Sequence, residues 1–226
     1  CPQYRKPMIK KYLQLLIIIL LISCHSNNET NYVEEMKNCL TIKDIELLDE
    51  ATLIFENKLS EYYNDKNSNQ NFYQYLTDIS SFDTERNFTA EFYLDENAVD
   101  LIEKMKKAGT FKKIWTKYEE PEYEEEIPII VSPEYENQNK EVDDIIIFIL
   151  DSNGRYLNCL NKITENEKIL EVLNSQSKYG DISSSIIAGA MKNQMEKSDL
   201  KSGLNKNIIA INFYYNIVNL LNENPN

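Results

Sequence analysis

The chain reads as mainly α, a helical bundle-like single domain with a small extended or β excursion around residues 119–150. Three observations predict it. Ile45, Leu48, Thr52, Phe55, Leu59 and Tyr62 recur at three- to four-residue spacing, the stripe of a helix that buries one face. Residues 208–221 include Ile211, Phe213, Tyr214, Ile217, Val218, Leu220 and Leu221, apolar on nearly every side, which suits a central place in a bundle. Between these, Glu119 opens an acidic stretch in which Pro128 and Pro133 forbid a long helix. With 42% hydrophobic residues, a body of about 185 residues can bury one core of ordinary size.

In chain order, Thr41 is placed to cap the first helix, with Asp44 at the third helical position, and the helix should stop near residues 64–67. Residues 72–80 suggest a short second helix. Residues 87–94 are ambiguous: Phe88, Ala90, Phe92 and Leu94 alternate as in a strand, while Phe88 and Phe92 also have helical spacing. Asp95 starts a helix through Val99, Leu101, Ile102 and Met105 that ends at Gly109. Phe111, Ile114, Trp115 and Tyr118 suggest a further short helix. Residues 119–143 read as an extended surface excursion, 145–150 as a buried strand or the first turn of a helix, and Asp151 to Gly154 as a reversal. Residues 156–163 and 169–175 are modest helical pieces. Asp181 can cap a helix containing Ile182, Ile186, Ile187, Ala190, Met191 and Met195, whose Ala188, Gly189 and Ala190 permit close approach by a neighbour. Asn207 is placed to start the last helix, and Pro225 falls beyond its end. No internal repeat is visible.

Residues 1–7 precede Met8 and read as a non-native or over-extended start. From Met8, two lysines (Lys10, Lys11) lead into an apolar run from Leu15 to Ile22 that closes on Ser23 and Cys24. This is the order of an export signal. At 1.5 Å per residue, the apolar helix reaches about 16 Å, too short for a bilayer core of roughly 30 Å. Leu21-Ile22-Ser23-Cys24 resembles the lipobox of bacterial lipoproteins, a resemblance confined to residues 8–24. It implies a signal peptide over 8–23, cleaved before Cys24, and lipidation of the Cys24 thiol. Two or three acyl chains, at about 0.8 kcal/mol per buried methylene, hold a protein stably where one does not. The implied product is a lipid-anchored protein of the bacterial cell envelope. His25 follows the cysteine in place of the aspartate that commonly signals inner-membrane retention, which favours the outer membrane. Residues 24–40 are polar and read as a tether, leaving 41–226 as the domain.

The net charge of −13 becomes −17 once residues 1–23, with four basic residues and no acid, are removed. Such a chain repels phosphate backbones and anionic lipid, so nucleic acid is excluded as a partner and attachment falls to the lipid itself. A basic protein partner fits the sign. Cys39 and Cys159 are the cysteines left over; separate, partly buried thiols are the expectation. The alternative is a disulfide, worth about 4–5 kcal/mol at best in the loop-entropy account.

Catalytic chemistry is narrowly bounded. The single histidine, His25, sits beside the lipidated cysteine, so histidine-dependent triads and zinc sites are not expected in the body. Five scattered glycines build no phosphate cradle, and neither cofactor nor metal is expected. The acidic run has the oxygens for calcium but lacks the alternating spacing of a dedicated loop. Binding is therefore the expected mode. The candidate partner-binding edge is Tyr118, Glu119, Glu120, Glu122, Tyr123, Glu124, Glu125 and Glu126, since tyrosine is favoured at interfaces and the acids suit a basic surface. The alternative is a carboxylate-dependent hydrolase of envelope glycans, which needs two acids roughly 5–10 Å apart.

Overall fold

Thr41 begins the helical body through a reciprocal cap. Its hydroxyl accepts the Asp44 amide at 3.3 Å, and the Asp44 carboxylate accepts the Thr41 amide at 2.9 Å. The computed structural model describes residues 31–81, 88–119, 145–179 and 182–225. These are mainly helical, with a two-stranded antiparallel sheet. Helix α1 (Ile42–Tyr63) ends on Asn64 at φ 49°, a left-handed cap that asparagine tolerates. Its stripe is buried from Ile45 through Leu59. Tyr62 departs from it: half-exposed, its ring lies against Phe88 and Phe92.

Helix α2 (Ser68–Ser80) starts at the cap Asn67, earlier than the apolar pattern suggested. The ambiguous stretch resolves as the helical turn α3 (Ala90–Tyr93), with the Phe88 and Phe92 ring centroids 4.5 Å apart. Helix α4 (Glu96–Ala108) runs from the Asp95 cap to Gly109, whose φ of 76° suits a residue without Cβ.

The helix expected over 111–118 does not form. A 3-10 turn (Phe111–Lys113) leads into strand β1 (Trp115–Lys117), which pairs with β2 (Phe148–Leu150). Helical spacing of four apolar residues was outweighed by strand pairing, which delivers Trp115 and Leu150 together into the core. After Asp151 the chain reverses at Gly154, where a Cβ would lie 2.7 Å from the Lys113 carbonyl oxygen.

Helices α5 (Arg155–Ile163), α6 (Glu167–Tyr179) and α7 (Ser184–Gln194) follow. Asp181, expected as a cap, lies outside the described residues, and Ser183 holds the cap position of α7. Helix α7 packs along α2, where Gly189 approaches Ser80 closely enough that an added Cβ would sit 3.7 Å from it.

The last helix starts at Gly203, four residues before the expected Asn207. It runs as α8 (Gly203–Ile209), a π turn (Ala210–Tyr214) and α9 (Tyr215–Glu223). Asn207 is instead an interior hub. Its amide nitrogen donates to the Leu48 carbonyl (3.1 Å) and the Thr52 hydroxyl (2.9 Å), and its oxygen accepts from the Tyr156 hydroxyl (2.9 Å). A residue type common at caps serves here to satisfy polar groups where α1, α5 and α8 meet. The π turn sits in the centre of the core, with Ile211, Phe213 and Tyr214 fully buried. No helix among the described residues is long and apolar enough to cross a membrane.

Residues 31–40 correct the reading of 24–40 as a free tether. Tyr32, Val33, Met36 and Leu40 are buried, and a 3-10 turn (Glu34–Asn38) lies on the body. The compact unit accordingly begins at Asn31. Four apolar side chains scattered over ten positions show no period, and tertiary contacts alone place them. Residues 24–30 lie outside the described set.

Candidate functional site

The residues on either side of the excursion pair as a short stem. Trp115, Thr116 and Lys117 stand opposite Leu150, Ile149 and Phe148. The ladder is flanked by the Tyr118 amide donating to the Ile147 carbonyl (2.8 Å) and the Asp151 amide donating to the Ile114 carbonyl (2.9 Å). An isolated two-stranded ribbon is marginal in water, so the stem must be held by what surrounds it. Three devices do this.

The first is a carboxylate clamp. Asp44, 1% exposed, accepts Lys113 Nζ on both oxygens at 2.7 Å and the Thr110 hydroxyl at 2.8 Å, while still closing the α1 cap. Burial alone would raise its pKa. The bonds from Lys113, Thr41 and Thr110 outweigh that and hold the carboxyl below its ordinary value.

The second is aromatic. Phe111 packs against Trp115 and Phe148 with centroids 5.0 and 5.1 Å away, and Lys106 lies 5.7 Å over the Phe111 ring while pairing with Glu103 and Glu223. The third covers the strand edge. The Asn224 side chain donates to the Ile146 carbonyl and accepts the Ile146 amide, both at 2.8 Å, imitating one residue of a neighbouring strand.

At the tip of this stem stand the first two residues of the candidate edge. Tyr118 is half-buried and Glu119 exposed. Glu120, Glu122, Tyr123, Glu124, Glu125 and Glu126 lie outside the described residues, as does Cys24. Cys39 and Cys159 are brought together. In place of the expected separate thiols, they form a disulfide between residues 120 apart in sequence, with Cα atoms 5.8 Å apart. The bridge ties the 31–40 segment to α5.

Among the described residues the buried carboxylates are Asp44 and Asp78. Asp44 is committed to the clamp; Asp78 accepts from the Tyr63 hydroxyl and the Gln74 amide, both at 2.8 Å. Glu165, Glu167 and Glu196 line an open surface groove with Asn193 and Gln194, where a substrate would stay in contact with water. Among the described residues no three His, Cys, Asp or Glu side chains gather as a metal site.

Compared with family models, curated proteins and solved structures, the chain matches none.

Sequence reasoning missed the clamp, the Asn224 edge cover and the docking of 31–40. Each joins residues far apart in the chain: Asp44 with Lys113 across 69 positions, Asn224 with Ile146 across 78. Local pattern carries no signal for such pairs. Only the acidic start of α1 was visible, and a cap explained it fully.

Proposed function

We propose that this chain is a lipid-anchored binding protein of the bacterial cell envelope that presents the acidic, tyrosine-bearing excursion to a basic protein partner. The observation that carries the reading is the mount. A two-stranded stem too small to stand alone is fastened to the helical body by a buried clamp, an aromatic cluster and an edge cover. Rigid support beneath a variable loop is how scaffolds commonly position binding residues. The charge supports a basic partner, since opposite potentials steer encounter and suppress wrong partners. The compartment is supported by the Met8–Cys24 signal pattern and by a disulfide, a bond that persists where the environment is oxidising.

Two measurements test it. Cells fed a labelled fatty acid should label the wild type and leave Cys24→Ser unlabelled; an unlabelled wild type removes the anchor. Cross-linking in intact membranes should then yield a basic partner that a variant with Glu119, Glu120, Glu122, Glu124, Glu125 and Glu126 changed to Gln no longer captures. An identical partner set for both proteins overturns the acidic edge.

A further inference from the structure

Residues 31–40 are seated as a discrete strap. The Met36, Cys39 and Leu40 amides donate to carbonyls within it, those of Val33 and Met36. Its backbone amides at Tyr32 and Val33 donate to one acceptor on the body, Asp49 Oδ1 on α1, at 2.7 and 3.1 Å. The Tyr32 hydroxyl donates to Glu56 on the same helix. Gly203 opens α8 directly beneath Tyr32, where an added Cβ would lie 2.6 Å from the Tyr32 Cα. At the other end one covalent bond, Cys39–Cys159, closes the strap onto α5.

We propose that this strap is released by reduction and that its release lengthens the mooring of the body. Cys39 is partly exposed and Cys159 fully buried, so an incoming thiolate reaches the Cys39 sulfur first. Attack by a dithiol reductant there breaks the S–S bond, forms a mixed disulfide on Cys39 and expels the Cys159 thiolate, which takes up a proton. The reductant's second thiol then displaces Cys39, and the reductant leaves as a disulfide. Two electrons pass to the bridge, and the two thiol protons end on Cys39 and Cys159. The Met36 carbonyl, 4.0 Å from Cys159 Sγ, is placed to accept the new thiol's weak hydrogen bond. Once the bond is cut, the segment is held by its four buried apolar side chains and by the contacts to Asp49 and Glu56, with no covalent closure left at its Cys39 end.

The consequence rests on the anchored reading of Cys24. With the strap closed, eight residue steps separate Cys24 from Tyr32, a reach of about 28 Å for extended chain. With it open, seventeen steps separate Cys24 from Thr41, a reach of about 60 Å. Redox state would thus set how much chain lies between the anchor and the body.

Amide hydrogen exchange on the acylated protein, with and without dithiothreitol, tests release independently of mooring. Residues 32–40 should lose protection about a hundredfold on reduction, while α1, α4 and α9 change by less than about threefold. Uniform loss across the body, or unchanged protection of 32–40, overturns the strap. Gly203→Ala, with the bridge intact, should loosen Tyr32 and Val33 while Leu40 stays protected; no change at Tyr32 also overturns it. Mooring is read separately, by energy transfer from a body label to dye-bearing phosphatidylethanolamine–phosphatidylglycerol vesicles. Transfer should fall on reduction, and constant transfer with the strap demonstrably open contradicts the lengthening. Absence of acyl mass on Cys24 would fail the anchored reading and leave the exchange result standing by itself.

Discussion

The helices of the body and the stem that carries the excursion are stabilised in opposite ways. Helix α1 has its own cap, its own stripe and its own stop, and joins α2 and the π turn through aromatic contacts: Phe55 meets Phe72 and Tyr75 edge to face, with centroids 5.3 and 4.8 Å away, and stacks on Tyr214 at 4.5 Å. The stem has three residues per strand and relies on partners contributed by α1, α4 and the chain's C-terminal end. Self-sufficient elements make a body; borrowed support makes a mount. The stem therefore inherits its rigidity from the helices and should be lost with them, while damage to the Asn224 fastening, which is no part of the α1 cap, should leave α1 standing.

The largest effect is expected where the helices converge. Phe55→Ala removes a fully buried ring and should cost about 3–5 kcal/mol. Denaturant unfolding followed by far-ultraviolet circular dichroism and by Trp115 fluorescence should give coincident transitions, because the stem has no core of its own. A stem transition surviving above the helical one would break the comparison.

Cutting the clamp comes next. Asp44→Asn leaves Lys113 without its buried counter-charge and should cost about 2–3 kcal/mol at neutral pH, moderated because Lys113 reaches solvent. The pH dependence has a definite sign. Asp44's folded-state pKa is below the ordinary 3.8, so the unfolded chain binds the proton first. The clamp's contribution is complete above about pH 4 and is lost as pH falls through the folded value. The wild type should therefore lose stability more steeply than Asp44→Asn on acidification below that point; parallel acid curves would show that the clamp is not the titrating element.

Asn224→Ala should be smaller and local, about 1 kcal/mol, exposing the Ile146 amide to exchange while α1 is unaffected. Smallest of all, Lys104→Ala removes an exposed pair with Glu50 and should shift the unfolding midpoint by less than about 0.5 kcal/mol.

The same division explains what the sequence disclosed. The Thr41 cap, the stripe from Ile45 to Leu59, the Asp95 start and the Gly109 stop are properties of neighbours in the chain, and local periodicity carries them. The strand at Trp115 was hidden, because its apolar spacing also fits a helix and its partner lies beyond the acidic excursion. Asn207 resembles a cap until Leu48, Thr52 and Tyr156 are seen around it. Of the candidate edge, Tyr118 and Glu119 were legible as composition, but the stem beneath them was not. The strap was hidden most completely: Val33 and Met36 are fully buried within a run whose polarity suggests solvent.

Hydrogen exchange of two amides reports whether the stem is fastened to the body. Tyr118 N–H, bonded to the Ile147 carbonyl, and Asp151 N–H, bonded to the Ile114 carbonyl, bracket the stem. Fastened as described, both should exchange within about tenfold of the buried amides of α4 and α9 in the intact protein. Exchange of either at the rate of a free hairpin, with the helices still protected, would contradict it.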